Sequence, residues 1–321
     1  MKIRPILIVS GEPKSVFFEI FFKSLKSVKY RSPLILICNL RIFKHEIKKF
    51  NFKKKYKVLS TNNLKKNEIN NKQLNLIDIA TKKTSKRNFN TRSSKKYISD
   101  SFKLAFKLIK NGLTYKLLNG PINKVKFLDN KHLGVTEYIA EHFNEKKTGM
   151  LIYNKKLSVC PLTTHLPLKL VSKKITKKLI IEKIRIIDSF YKKNFKFKPK
   201  IGVTGLNPHC ESVLKFNEDK KIVSSAIRSL IIRNINVKGP FPADTIFLKK
   251  NRKNFDVILG MYHDQVLTPI KTLFEYNAIN ITMGLPFLRV SPDHGPNEKM
   301  IDKNKSTPVS LMNALNFLDQ K

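Results

Sequence analysis

ILIVSGEPKSVFFEIFFKSLKSVKYRSPLILIC, residues 6–38, is the stretch of sequence that decides the fold class. Ile6–Val9 and Leu34–Cys38 are continuous apolar runs with the length of buried strands, and the apolar positions between them recur at helical spacing. The turn Gly11–Pro13 separates the first run from the helix. A strand, a helix and a second strand in this order form the unit of a parallel sheet, so the stretch predicts an α/β protein.

The same alternation continues in the second half of the chain. Apolar segments predict strands at LIYNKKLSVCPL, KIGVTGL, FDVILGMY and AINITMGL. Helical patterns lie at Thr176–Tyr191 and Ile222–Ile232. The sequence therefore predicts a second α/β region.

The stretch between these two regions is less regular. Residues 51–96 are rich in Lys, Asn and Thr and weakly periodic, which predicts short, exposed, irregular elements with few functional residues. A helix is expected to follow, capped by Ser99 or Asp100 and ended by Gly112.

The chain of 321 residues carries a formal net charge of +41, which by itself points to nucleic acid or an acidic membrane surface. Lysines are spread through nearly the whole sequence, however, and accompany abundant Asn, Ile and Phe. This distribution indicates a general compositional drift and a solvated face, with non-specific polyanion binding as a side effect of charge. No specific nucleic-acid partner is expected.

Short sequence features limit the cellular compartment that we expect and the chemistry of the cysteines. The apolar runs are shorter than the roughly 20 residues that cross a bilayer, and the basic start lacks a small-residue cleavage site. We therefore expect a cytoplasmic protein without a membrane span. The three cysteines, Cys38, Cys160 and Cys210, are scattered and predict free thiols rather than a disulfide framework or a cysteine-based zinc site.

Three of the seven histidines follow apolar strand-like runs in turn-rich surroundings: His165, His209 and His263. Ligands of open α/β sheets gather outside the carboxyl ends of the strands, so these imidazoles could converge on one divalent ion. A hydrogen-bonded structural role is the alternative for each histidine, and the spacing leaves both open. Asp244 and Asp264 occur in similar settings and could orient an imidazole or add a ligand.

A cationic group follows in HDQVLTPIKTLFEYNAINITMGLPFLRVS, which contains Lys271, Asn280 and Arg289. Arginine offers a planar fork for a carboxylate or phosphate, lysine a point charge and asparagine a neutral hydrogen-bond partner. In so basic a chain a single lysine is a weak signal, and a solvated role for Lys271 remains open. No GxGxxG and no P-loop is present, so a dinucleotide would have to bind in another way.

A series of segments resembles, in order, the 4-hydroxythreonine-4-phosphate dehydrogenase family. The segments are SGEPKSVFFE (10–19), NGPINK (119–124), GVTEYIA (134–140), TTHLPL (163–168), GLNPH (205–209), GPFPADTIF (239–247), MYHDQ (261–265), NITMGLPFLR (280–289) and SPDHG (291–295). The match is specific because many motifs recur with nearly the expected spacing through most of the chain.

The resemblance implies an α/β fold similar to that of isopropylmalate dehydrogenase, with two α/β/α subdomains and a cleft between them. We expect residues 1–128 and 299–321 to form the first subdomain, and residues 129–298 to form the second and to carry most of the metal and substrate residues. The resemblance also implies a homodimer whose active sites lie at the subunit interface.

The implied reaction is the NAD-dependent oxidation of 4-phosphooxy-L-threonine, followed by loss of CO2 to give 3-amino-2-oxopropyl phosphate, in pyridoxal 5'-phosphate biosynthesis. A divalent ion (zinc, cobalt, magnesium or manganese) would assist it. Matching positions imply His165, His209 and His263 as metal ligands, Asp244 and Asp264 as support for the site, and Thr136, Lys271, Asn280 and Arg289 as substrate-binding residues.

The chain departs from the family pattern at several loops. Val135 stands where the family has a histidine, and CESV at 210–213 replaces a glycine-rich stretch. A relative that acts on another phosphorylated hydroxy acid, or one with weakened catalysis, is therefore an alternative. A basic nucleic-acid-binding protein is a more remote alternative, because the charge is dispersed and no stacking or zinc-finger motif is present.

Overall fold

A computed structural model describes residues 3–61, 69–81, 85–129, 132, 134–211 and 217–321. The chain forms two compact units, one of Met1–Lys131 with Pro286–Lys321 and one of His132–Leu285. Residues 286–298, which we expected in the second subdomain, thus belong to the first unit, and Arg289 lies among them.

The first unit is built on a sheet whose strands all run parallel. Numbered along the chain, its strands are β1 (Ile6–Val9), β2 (Leu34–Cys38), β3 (Tyr56–Val58), β4 (Leu74–Asp78), β5 (Lys116–Asn119) and β12 (Leu288–Pro292). They are arranged in the order β3-β4-β2-β1-β5-β12. The predicted strand, helix and parallel strand in residues 6–38 are confirmed.

The helices of the first unit are α1 (Phe17–Ser27), α2 (Leu40–Lys49), α3 (Thr91–Lys110), α4 (Lys124–Leu128) and α12 (Val309–Asp319). The predicted cap of α3 at Ser99 or Asp100 is wrong. Asn90 caps this helix earlier, because its Oδ1 accepts from the Ser93 N–H at 2.9 Å while the Ser93 Oγ accepts from the Asn90 N–H at 2.9 Å. Gly112, just beyond the end of α3, has a φ of +71°.

Aromatic side chains pack against one another in the core of the first unit. Phe17 and Phe21 stack on one face of α1, and Phe22 stacks on Phe52 with ring centroids 4.4 Å apart. The strand β4 lies within the stretch that we expected to be exposed and irregular, yet Leu74, like its neighbours in the strand, is buried. That expectation is therefore wrong for residues 74–77.

The second unit contains a mixed sheet. Its strands are β6 (Gly149–Tyr153), β7 (Ser158–Pro161), β8 (Ile201–Thr204), β9 (Val237–Phe241), β10 (Val257–Gly260) and β11 (Ile279–Met283), in the order β11-β6-β7-β10-β8-β9. The pairs β11-β6 and β6-β7 are antiparallel. The four strands β7, β10, β8 and β9 are parallel to one another. Each apolar segment predicted here contains at least one strand.

The helices of the second unit are α5 (Val135–His142), α6 (Leu168–Lys174), α7 (Lys177–Phe195), α8 (Ser224–Ile231), α9 (Ala243–Ile246), α10 (Lys249–Arg252) and α11 (His263–Phe274). The predicted helix from Thr176 is confirmed, and the Thr176 side chain caps it. Val266 and Ile270 of α11 are buried against a core that includes Ile258 of β10. Among the residues that the structure describes, none of the helices combines the length and apolar character needed to cross a bilayer.

Candidate metal and substrate site

Four neighbouring parallel strands of the second unit end at the same edge of its sheet. His165 follows β7, His263 follows β10, His209 follows β8 and Asp244 follows β9. Parallel strands present their carboxyl ends on one side, which is where open α/β sheets bind ligands. The strand order therefore delivers the predicted histidines and one predicted carboxylate to one edge of the sheet.

His165 and His263 are close to each other at this edge. Their ring centroids are 5.7 Å apart, and two imidazoles on one tetrahedral ion have centroids about 5 Å apart, given metal–nitrogen distances near 2 Å. Asp264 holds the second ring, with 2.6 Å between His263 Nδ1 and Asp264 Oδ1. Because a carboxylate only accepts, Nδ1 carries the proton of this hydrogen bond and Nε2 is left for an ion.

His209 lies in a short helical turn at Pro208–Cys210 and is exposed. Its φ is +57° and that of Cys210 is +61°, so both residues adopt the left-handed region that non-glycine residues seldom occupy. In the described part of the chain, no group of three or more His, Cys, Asp or Glu side chains is close enough to hold a metal ion. The structure thus pairs His165 with His263 and leaves the His209 side chain outside that pair.

The carboxylate of Asp219, which is fully buried, fixes the turn that carries His209 through hydrogen bonds. Asp219 Oδ1 accepts from the Leu206 N–H at 2.6 Å, and Oδ2 accepts from the Asn207 N–H and the Asn207 side-chain amide, both at 3.0 Å. These N–H groups have no acceptor within the turn itself, so the carboxylate of Asp219 satisfies them. The sequence pattern does not single out Asp219, although it is one of only 23 acidic residues beside 64 basic ones.

Asp244 is exposed on α9 and acts on the same turn electrostatically. Burial raises the pKa of the Cys210 thiol, and the nearby carboxylates of Asp219 and Asp244 raise it further. Residues 212–216, which include two of the positions where the sequence departs from the family pattern, lie outside the described residues.

Thr136 and Asn280 lie on one side of β11. The Thr136 hydroxyl is 3.3 Å from the Thr282 hydroxyl, and Asn280 lies two residues before Thr282 on the same face of the strand. Asn280 Oδ1 is buried without a hydrogen-bond partner. Since a buried acceptor without a partner is destabilising, this oxygen is suited to a donor group of a ligand.

The start of α5 connects Thr136 to the histidine pair. A Cβ added at Gly134, the residue that caps this helix, would lie 3.4 Å from His165 Cε1 and 2.7 Å from a Glu137 carboxylate oxygen. The glycine thus lets the helix start pack directly against the His165 ring. Thr136 lies two residues after Gly134, in the first turn of α5.

The two predicted cationic residues have different surroundings. Lys271 is partly buried on α11, the helix that begins at His263. Arg289 is 3% exposed on β12 of the first unit, where its Nε donates to Asn119 Oδ1 at 2.8 Å. Arg289 is therefore a buried, partnered cation and not a member of the solvated lysine-rich surface.

Known proteins resemble this chain over nearly its whole length. The family model described as pyridoxal phosphate biosynthetic protein PdxA matches residues 29–318. A 4-hydroxythreonine-4-phosphate dehydrogenase of Sulfurihydrogenibium sp. (strain YO3AOP1) is 34% identical, over 97% of this chain and 96% of the relative.

Solved structures agree on the fold. The 4-hydroxythreonine-4-phosphate dehydrogenase of Burkholderia phymatum superposes with a TM-score of 0.80 at 25% identity, covering 99% of this chain and 98% of that one. The isocitrate dehydrogenase of Methylococcus capsulatus shares the fold at 12% identity and a TM-score of 0.50, covering 98% and 85% of the two chains. The predicted α/β fold of the isopropylmalate and isocitrate dehydrogenase type is confirmed, and the nucleic-acid alternative is not favoured. The chain therefore belongs to the pyridoxal phosphate biosynthetic protein PdxA family, the family of the 4-hydroxythreonine-4-phosphate dehydrogenases.

Proposed function

We propose that this protein oxidises 4-phosphooxy-L-threonine with NAD and a divalent metal ion, and that the product loses CO2 to give 3-amino-2-oxopropyl phosphate. The observation that carries the proposal is the pair His165 and His263, with ring centroids 5.7 Å apart at the carboxyl edge of a parallel sheet. Membership of the family supports the same reaction, since its relatives bear the name of this dehydrogenase.

The residues at this edge fit a divalent ion. His165 and His263 would supply two imidazoles, and His209 the third after a rotation of its exposed side chain, with Asp244 and Asp264 supporting the site. Imidazole and carboxylate donors suit zinc, cobalt or manganese, while magnesium favours oxygen ligands. When bound, the ion supplies Lewis-acid stabilisation of the negative charge that develops on the substrate oxygen.

The substrate presents a phosphate, a carboxylate, an amine and the hydroxyl that is oxidised. Arg289 and Lys271 are suited to the two anionic groups, because guanidinium and ammonium make charge-assisted hydrogen bonds. Asn280 Oδ1, which is buried without a partner, is suited to accept from the amine or the hydroxyl. Thr136 would fix a further polar group beside His165. NAD, when bound, would supply the acceptor for the hydride that leaves the carbinol carbon.

We further propose that the enzyme works as a cytoplasmic homodimer with each site at the subunit interface. This part of the proposal follows the family resemblance. Its measurement is the molar mass in solution, together with restored activity when two differently inactivated variants are mixed.

An assay of NADH formation tests the proposed reaction. Metal-stripped protein is supplied with 4-phosphooxy-L-threonine, NAD and, in separate reactions, zinc, cobalt, magnesium or manganese. We expect metal-dependent NADH formation that His165→Ala abolishes and that His45→Ala retains, because His45 pairs with Glu46 in the first unit. Absence of turnover with every metal would refute the proposed substrate, and turnover of a different phosphorylated hydroxy acid would identify a relative with altered specificity.

A further inference from the structure

The side chain of Gln265 joins two of the strands that lead to the proposed ligands. Its Oε1 accepts from the Met261 N–H at 2.7 Å and from the Thr204 hydroxyl at 2.7 Å. Its Nε2 donates to the Gly205 carbonyl at 2.7 Å. A backbone N–H can only donate and a carbonyl can only accept, so these partners fix the orientation of the amide. The residues joined are the ends of β8 and β10.

The same lateral connection extends to the outer strands of this edge. Thr163, which is buried two residues before His165, donates its hydroxyl to the Met261 carbonyl at 2.8 Å. On the other side, the Gly205 N–H donates to the Phe241 carbonyl of β9 at 2.9 Å. A continuous set of hydrogen bonds thus crosses β7, β10, β8 and β9 immediately below His165, His263, His209 and Asp244.

Gln265 is the only side chain in this set that bridges β10 and β8 among the hydrogen bonds of the described residues. Its position two residues after His263 places its amide in the first turn of α11. Neither Thr163 nor the Gly205 amide can replace it, because each contacts a different pair of strands. Removing the amide would leave the Met261 N–H and the Gly205 carbonyl without the side chain that joins β10 to β8.

We propose that Gln265 is a positioning residue that fixes the separation of the turns carrying His209 and His263, and thereby preorganises the metal site. This inference rests on the proposed function, because it requires the histidines to bind a divalent ion. Gln265 itself does not contact the ion or the substrate. It acts through the two strand ends, and its loss lets the two turns move independently.

Cobalt(II) binding by the full-length protein, followed by calorimetry and by visible absorption, tests the inference without using turnover. We expect Gln265→Ala to weaken cobalt binding by about ten- to a hundred-fold, the range measured for groups that orient metal ligands. Gln265→Glu keeps the acceptor for Met261 but sets an oxygen against the Gly205 carbonyl, so its affinity should be intermediate. Hydrogen exchange of the Met261 amide should be faster in Gln265→Ala, which removes its acceptor, than in Gln265→Glu, which keeps it.

Asn154→Ala is the matched control. Asn154 is also a buried amide that joins two backbone segments, since it donates to the Asn277 carbonyl and accepts from the Lys156 N–H. It follows β6, which runs antiparallel to β7, and so lies at the opposite edge of the sheet. We expect Asn154→Ala to lower the melting temperature and to bind cobalt as the unchanged protein does.

Equal cobalt affinities of Gln265→Ala, Asn154→Ala and the unchanged protein would overturn the inference. If Gln265→Ala does not fold, Gln265→Glu carries the same comparison, and an affinity equal to that of the unchanged protein would again overturn it. A failure of the proposed metal site is distinguishable, because the unchanged protein and His165→Ala would then bind cobalt equally weakly. The inference requires that His165→Ala abolishes binding while Gln265→Ala weakens it.

Discussion

The carboxyl ends of the parallel strands form an edge in each unit, and the two edges differ in the exposure of their polar side chains. In the first unit, the Tyr97 hydroxyl lies 2.8 Å from the Ser10 hydroxyl and accepts from the Asn39 N–H at 3.0 Å, and all three residues are buried. Burial raises the pKa of Tyr97, so this hydroxyl keeps its proton. In the second unit, the corresponding edge carries His165 and His209, which are exposed. One edge is closed by its own polar groups, and the other carries exposed imidazoles.

Left-handed backbone conformations occur in the turns of the second edge. His165, His209 and Cys210 all have positive φ values, of 53°, 57° and 61°. Left-handed backbone in non-glycine residues is unfavourable, and it persists where the surrounding structure enforces it, often at functional sites. At the second edge, Asp219 and the lateral hydrogen bonds supply that enforcement. The turns that carry the proposed ligands are therefore strained conformations held by buried hydrogen bonds.

Replacing His209 should have the largest effect on this contrast. His209→Asn keeps a residue that tolerates a positive φ but removes the imidazole. We expect the metal affinity to fall by about a hundred-fold or more, since even indirect partners of a ligand contribute ten- to a hundred-fold. The free energy of unfolding without metal should be unchanged because His209 is exposed. Full metal content in this variant would remove His209 from the site, and His45→Asn is the control.

Arg289 tests whether a buried, partnered cation of the first unit also serves the substrate. Arg289→Lys keeps the charge but loses the planar fork and the Nε bond to Asn119. We expect kcat/KM to fall about ten- to a hundred-fold, together with a loss of about 1–3 kcal/mol in the free energy of unfolding. Arg4→Lys, at an exposed arginine of the same unit, should change neither. A loss of stability with normal kinetics would show that Arg289 has a structural role alone.

Glu12 provides a pH test of the closed edge. This carboxyl group is 4% exposed, and burial raises its pKa above the usual value of a glutamate despite the nearby Ser94 and Lys126. The pKa of Glu12 is higher in the folded protein than in the unfolded chain, so the folded protein keeps this proton to a higher pH. The free energy of unfolding therefore falls as the pH rises through the folded pKa. Glu12→Gln should therefore be more stable than the unchanged protein at neutral pH. Urea unfolding across this range checks the sign, and parallel curves for the two proteins would contradict it.

The sequence predicts those parts of the fold in which local pattern and tertiary packing agree. The apolar runs at Ile6–Val9 and Leu34–Cys38 form the buried strands that their composition indicates. β4 was missed because LNLID is short and surrounded by Lys- and Asn-rich sequence, and its burial arises from pairing with β2. β9 was missed because VKGPF contains Gly239 and Pro240, which ordinarily indicate a turn.

The site shows the same division. The apolar runs that precede the three histidines form β7, β10 and β8, and because these strands are parallel neighbours the histidines follow strand ends at one edge. The supporting contacts of Asp219 and Gln265 could not be predicted from spacing, since each joins segments that are distant in sequence and ordinary in composition. The burial of Arg289 was equally hidden, because it depends on the pairing of β12 with β5.

Of these substitutions, Val135→His should have the smallest effect on kcat/KM. It tests whether the substrate presents a polar or an apolar group to residue 135. Val135 is 5% exposed at the start of α5, beside Thr136, and it stands where the family has a histidine. A valine can neither donate nor accept a hydrogen bond, so a polar group of 4-phosphooxy-L-threonine that faces it lacks a protein partner there. Restoring the imidazole should raise kcat/KM on this substrate about three- to ten-fold, within the roughly 1–3 kcal/mol that an unpaired polar group costs.

The larger ring in a buried position should at the same time destabilise the fold by about 1–3 kcal/mol. Val135→Leu adds volume without a hydrogen-bonding group and should give the loss of stability without the kinetic gain. A gain in both variants would attribute the effect to packing, and no gain with histidine would indicate a substrate that presents an apolar group to Val135.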